Sequence, residues 1–106
     1  MDAQMKKGLL DACVLYILLQ GDTYGYKLTQ EITGLMETSE SALYPVLRRL
    51  EDQDCLETYT AEHSGRLRRY YKITAMGMTR LDEYKNELTE LKKVINYITG
   101  GDNENG

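Results

Sequence analysis

The chain has 106 residues, room for one domain and too few for two of ordinary size. Hydrophobic residues make up 42% and charged residues 28%, with a single proline, a balance that excludes a disordered chain. Thirteen basic against seventeen acidic residues leave a net charge of −4, which weighs a little against a nucleic-acid partner but hides where the charges lie.

The first element is expected from about Gln4 to Leu19. It is apolar almost all round, so as a helix it needs cover on several sides, which a second chain is expected to supply. Its longest apolar run, Ala12 to Leu19, has eight residues, against the roughly 20 of a membrane span. Lys6 and Lys7 precede the run and no small-residue cleavage site follows it, so a cytoplasmic protein with no membrane partner is expected. Cys13 and Cys55 lack metal-like spacing and His63 is the one histidine, so two reduced, buried thiols, no metal and no cofactor are expected.

Gly21-Asp22 reads as a turn and Thr23 as the cap of a second helix, roughly Tyr24 to Met36, with Leu28, Ile32 and Leu35 as its buried stripe. A third helix starts at Ser39 or Ser41, either of which can cap it, and runs to about Gln53. Leu43, Val46, Leu47 and Leu50 form its inner face; Ser41, Tyr44, Arg48 and, to one side, Arg49 lie outside. The period then shifts to two. Leu56 to Ala61 and Arg66 to Ile73, separated by His63-Ser64-Gly65, predict a β-hairpin. Thr74 can cap a last helix of about 24 residues. Its apolar positions Leu81, Tyr84, Leu88, Leu91, Ile95 and Ile98 fall at spacings of 3, 4, 3, 4, 3, a heptad seam suited to a second chain. The polar tail 100–106 is expected to be disordered.

Charge is sorted along this plan. Five of six arginines fall between positions 48 and 69, whereas the stretch from Asp82 onward has six acids against three lysines. Three short helices, an arginine-rich hairpin and a long final helix predict a mainly α fold with a β-hairpin. That fold is a winged helix-turn-helix over 1–74, followed by a dimerisation helix over 75–99. In such a fold the third helix enters the major groove, and the hairpin arginines lie along the adjacent backbone or minor groove. The duplex contacts would be Ser39, Ser41, Tyr44, Arg48, Arg49, Arg66, Arg68 and Arg69, on a palindromic double-stranded DNA site read by a homodimer. Arg49 has a second reading, an ion pair with Glu51 or Asp52, and Tyr70 and Tyr71 read as packing residues. A winged-helix module that binds protein and no DNA is the competing reading, with the net charge in its favour. Catalysis is not expected, since no nucleophile, base and orienting group can be assembled around a lone histidine.

"YGYKL" at Tyr24 to Leu28, "ALYPVLRRLE" at Ala42 to Glu51, "GRLRRYYKIT" at Gly65 to Thr74, and Gly77 closely resemble the PadR family of transcriptional regulators, over roughly Lys7 to Tyr97. The single C-terminal helix is similar to the compact branch of that family. The resemblance implies a homodimer built on the first and last helices, mostly repressors, often relieved by small aromatic molecules. It implies that Tyr44 meets a phosphate or base, and that Gly65 and Arg66 form the hairpin tip. Asp11, Tyr16, Tyr84 and Leu88 are the implied effector contacts, Asp11 being equally a polar residue at an interface edge. There are departures. Leu67 stands at a usual proline and Asp54 at a usual glycine, where aspartate costs about 1 kcal/mol in a left-handed conformation. Leu88 takes the place of the tryptophan that drug-binding members present.

Overall fold

The computed structural model describes residues 3–101. Their order is α1 (Ala3–Gln20), β1 (Thr23–Tyr24), α2 (Gly25–Thr33), α3 (Glu40–Asp52), β2 (Leu56–His63), β3 (Arg66–Ile73) and α4 (Ala75–Thr99). The chain is mainly helical, with a winged-helix body, a small antiparallel sheet and a long C-terminal helix. No helix among the described residues is long and apolar enough to cross a membrane.

The all-round apolar character of α1 is explained inside the chain. Leu10, Val14, Leu15 and Leu18 enter a core with Leu28 and Ile32 of α2, Leu43, Val46, Leu47 and Leu50 of α3, and Leu81 of α4. Its own chain therefore supplies much of the cover expected from a partner, while Tyr16 and Leu19 stay exposed. Of the two thiols, Cys55 is buried and Cys13 only half-buried.

Thr23 does not cap α2. Thr23 and Tyr24 pair antiparallel with Tyr71 and Tyr70, which makes the hairpin a three-stranded sheet in the order β1-β3-β2. Tyr24 becomes the N-cap, with no side-chain capping bond. The helix ends at Thr33, three residues short of the expected Met36, so Leu35 falls outside it and is 75% exposed. Ser39 caps α3, its hydroxyl accepting from the Ala42 N–H at 3.2 Å. Pro45 sits in the second turn of α3 on its exposed side.

The hairpin runs in register from Leu56 opposite Ile73 to His63 opposite Arg66. Ser64 and Gly65 close it with φ of 53° and 77°, the two positive values of a type I′ turn. Tyr71 and Ile73 point into the core. On the opposite face Tyr59 stacks on Tyr70 at 5.4 Å, and Tyr24 meets Tyr70 edge-on at 5.5 Å. The Tyr59 hydroxyl donates to Asp22 at 2.7 Å and ties the hairpin to the turn after α1.

Thr74 caps α4, accepting from the Gly77 N–H at 3.0 Å, and Gly100 closes it at a left-handed φ of 68°. Gly100 is thus part of a helix cap; of the tail expected to be disordered, residues 102–106 lie outside the described residues. The heptad seam divides. Leu81, expected between chains, belongs to the core of its own chain, and Tyr84 and Leu88 are half-buried. Leu91, Ile95 and Ile98 are 42%, 44% and 73% exposed.

Candidate nucleic-acid interface

A cleft of about 520 Å³ opens between α3 and the wing formed by β2 and β3. One wall is the α3 stripe Glu40, Tyr44, Arg48 and Glu51; the other is Arg66 to Arg69, with Tyr24, Gly25 and Tyr26 at one end. The spacing of α3 explains its wall. Residues 43, 46, 47 and 50 are drawn into the core, which turns 41, 44, 48 and 52 outward. Tyr44 lies against the first residue of α2, its hydroxyl oxygen 3.5 Å and its ring carbons 3.6–3.8 Å from where a Cβ on Gly25 would stand. It is exposed and plugs no core. Its hydroxyl donates to Glu40 Oε2 at 3.0 Å, and that bond holds the phenol above the ordinary tyrosine range. Ser39 and Ser41 stand at the start of α3 with their hydroxyl oxygens 3.5 Å apart, both exposed.

The arginines expected to act alike divide into two groups. Arg48 and Arg66 are exposed and have no ion pair among the described residues. Arg68 lies with its guanidinium 4.4 Å from the Tyr24 ring centroid, and its Nε is enclosed with no hydrogen-bond partner. Arg69 leans back onto Glu51 at 3.2 Å and Thr58 at 3.4 Å.

Arg49 is not part of the cleft, and neither Glu51 nor Asp52 is its partner. Its two terminal nitrogens meet Asp11 of α1 at 2.7 and 3.0 Å, a bidentate pair. Donation to Asp11 holds the guanidinium above its usual range. Asp11 is 4% exposed and also accepts from the Tyr84 hydroxyl of α4 at 2.7 Å. It is therefore neither at an interface edge nor open to a ligand; it is the pin joining α1, α3 and α4. Burial, then the Asp11 bond, pushes the Tyr84 phenol up to about 12. Nothing in local sequence could pair residues 38 and 73 positions apart.

The remaining effector candidates border two apolar grooves. Tyr84 and Leu88 line one of about 200 Å³ with Leu9 and Leu91. Tyr16 and Leu88 line another of about 240 Å³ with Cys13 and Leu35. Sequence reasoning missed Glu40 and the Tyr24–Tyr26 end of the cleft. The first was readable as an i, i+4 partner of Tyr44; the second arrives only through the pairing of β1 with β3.

Residues 14–83 match the family model described as the transcriptional regulator PadR-like family. An uncharacterised protein of Lysinibacillus sphaericus is 37% identical over 100 residues, covering 90% of this chain and 92% of that protein. A protein of Streptococcus mutans UA159 is similar in structure at a TM-score of 0.85 and 38% identity, over 90% of each chain. A PadR-like transcriptional regulator from Bacillus cereus strain ATCC 14579 superposes at a TM-score of 0.83 and 34% identity, over 92% of this chain and 97% of that one. The matched segment spans the whole helix-turn-helix and wing and runs into α4, so the chain belongs to the PadR-like family of transcriptional regulators.

Proposed function

We propose that the chain is a homodimeric, sequence-specific DNA-binding repressor of the cytoplasm that reads a palindromic double-stranded site. The observation that carries this reading is the cleft between α3 and the wing, where Arg48, Arg66 and Arg68 stand without acidic partners among the described residues, beside the exposed Tyr44. Arginine beside a groove neutralises phosphates and releases counterions, while side chains at the start of the reading helix meet base edges. The uncapped N-terminus of α2 opens on the same cleft and offers N–H donors to a phosphate. The exposed apolar half of α4 supports pairing of two chains, which sets two reading heads about one helical turn apart. A flat aromatic effector would settle beside Tyr84 and Leu88 and relieve repression, and a tyrosine-fluorescence titration against such compounds reads it.

The decisive experiment is a mobility-shift titration on the duplex upstream of the chain's own gene, across a range of salt. Arg66→Ala weakens binding to every sequence and lowers the salt slope by about one. Arg48→Ala and Tyr44→Ala instead shrink the gap between operator and random duplex. Absence of any shift at low salt would leave the acidic net charge as the better guide and turn the reading toward a protein-binding module.

A further inference from the structure

Two carboxylates line the cleft among its cations, Glu40 and Glu51. Glu51 meets Arg69 at 3.2 Å, so its charge is answered. Glu40 accepts from the neutral phenol of Tyr44 through Oε2 and has no ion pair among the described residues. An uncancelled negative charge thus stands at the exposed start of α3, the end that reaches base edges in a helix-turn-helix. Toward phosphate that charge is repulsive. Toward a base edge it is favourable only where the edge presents a donor, and in the major groove the donors are the exocyclic amino groups of cytosine and adenine. The amino group of adenine is flanked by acceptors on both sides, its own N7 and the O4 of the paired thymine. That of cytosine has one, the O6 of guanine. A carboxylate therefore fits cytosine better. Tyr44 holds Oε2 in place and leaves Oε1 for the base.

We propose that Glu40 is a specificity-determining residue whose carboxylate accepts a hydrogen bond from the N4 amino group of a cytosine in each half-site. The inference rests on the DNA-binding reading above. An acid in the first turn of a helix also complements the helix dipole, but that role has no bearing on which base is chosen.

Sequence selection from a randomised duplex library tests this with the full chain, E40Q and Tyr44→Phe, each first shown by thermal melting to be folded. The wild-type chain fixes a cytosine at one position of each half-site. E40Q loses that preference by about tenfold or more and shifts toward adenine, whose N6 and N7 suit a glutamine amide. It also binds random duplex several-fold more tightly at low salt, with one repulsive charge removed. Tyr44→Phe frees Oε2 and weakens the cytosine preference, by several-fold less than E40Q does. Identical selected sequences for E40Q and wild type would overturn the proposal and leave Glu40 as a helix-start residue. Loss of the cytosine in Tyr44→Phe to the same extent would reduce Glu40 to a prop for Tyr44. A fixed adenine lost in E40Q would overturn the choice of base. A wild-type chain that selects nothing and binds no duplex would overturn the DNA-binding reading itself, a result separate from any of these.

Discussion

Gly77 and Asp54 both lie at the junction where the chain leaves α3 and enters α4. A Cβ on Gly77 would collide with the Cys55 carbonyl oxygen and come within 2.7 Å of Ile73 Cγ1, and the same carbonyl accepts from the Thr74 N–H at 3.1 Å. Backbone cannot yield there as a flexible side chain would. Gly77→Ala is expected to cost about 1–3 kcal/mol, lowering the melting temperature by roughly 5–20 °C in a domain of this size; a melt followed by circular dichroism reads it directly. Asp54 holds a φ of 62°, as expected for a position that suits glycine, while its carbonyl accepts from the Thr74 hydroxyl at 2.6 Å. Asp54→Gly keeps that bond and relieves the left-handed strain, less the added freedom of the unfolded chain. A net gain of about 0.5 kcal/mol in urea unfolding is expected, and a loss would show that the aspartate side chain contributes more than its backbone costs.

At the scale of elements, the Asp11 junction decides how α1, α3 and α4 sit together. Asp11→Ala leaves a half-buried guanidinium without its counter-ion and a phenol without its acceptor, and is expected to cost about 3–5 kcal/mol in denaturant unfolding. The raised Tyr84 phenol adds a pH dependence with a definite sign. Unfolded tyrosine loses its proton near pH 10, whereas the folded group keeps it to about 12. This contribution is fully present below pH 10 and is lost as pH rises toward 12. Tyr84→Phe should flatten that stretch of the stability curve, and an unchanged slope would place the alkaline loss in other groups. Amphipathic period made α3, the hairpin and α4 readable in the sequence, since Leu43, Val46, Leu47 and Leu50, or Tyr71 and Ile73, announce a buried face. The two-residue strand Thr23–Tyr24 was illegible because two residues have no period. Leu35 was misplaced because apolar spacing continued past the point where the backbone left the helix. Tyr44, Arg48 and Arg66 were found as outward residues near the wing, but Arg49 was not separable from Arg48, because its partner lies 38 positions away.

At the scale of the whole molecule, the described residues measure 54 × 26 × 25 Å, long because α4 continues past the body that its first turns help to close. Leu91, Val94, Ile95 and Ile98 on that extension are exposed, and a second copy is the proposed cover. Leu91→Glu with Ile95→Glu should give a folded monomer by sedimentation equilibrium, with the melting transition retained and operator affinity lost. A variant that stays dimeric would move the interface elsewhere. The wing has a different relation to the body. It is fastened to the body by the phenol of Tyr59 on Asp22 and by β1 along its flank, and braced by stacked rings on its outer face. In the proposed DNA-binding reading, a limb so fastened would forfeit little entropy on docking, so more of the attraction of Arg66 and Arg68 would be felt as tightness of grip. Cutting the Tyr59 tether would loosen that grip while leaving every arginine in place.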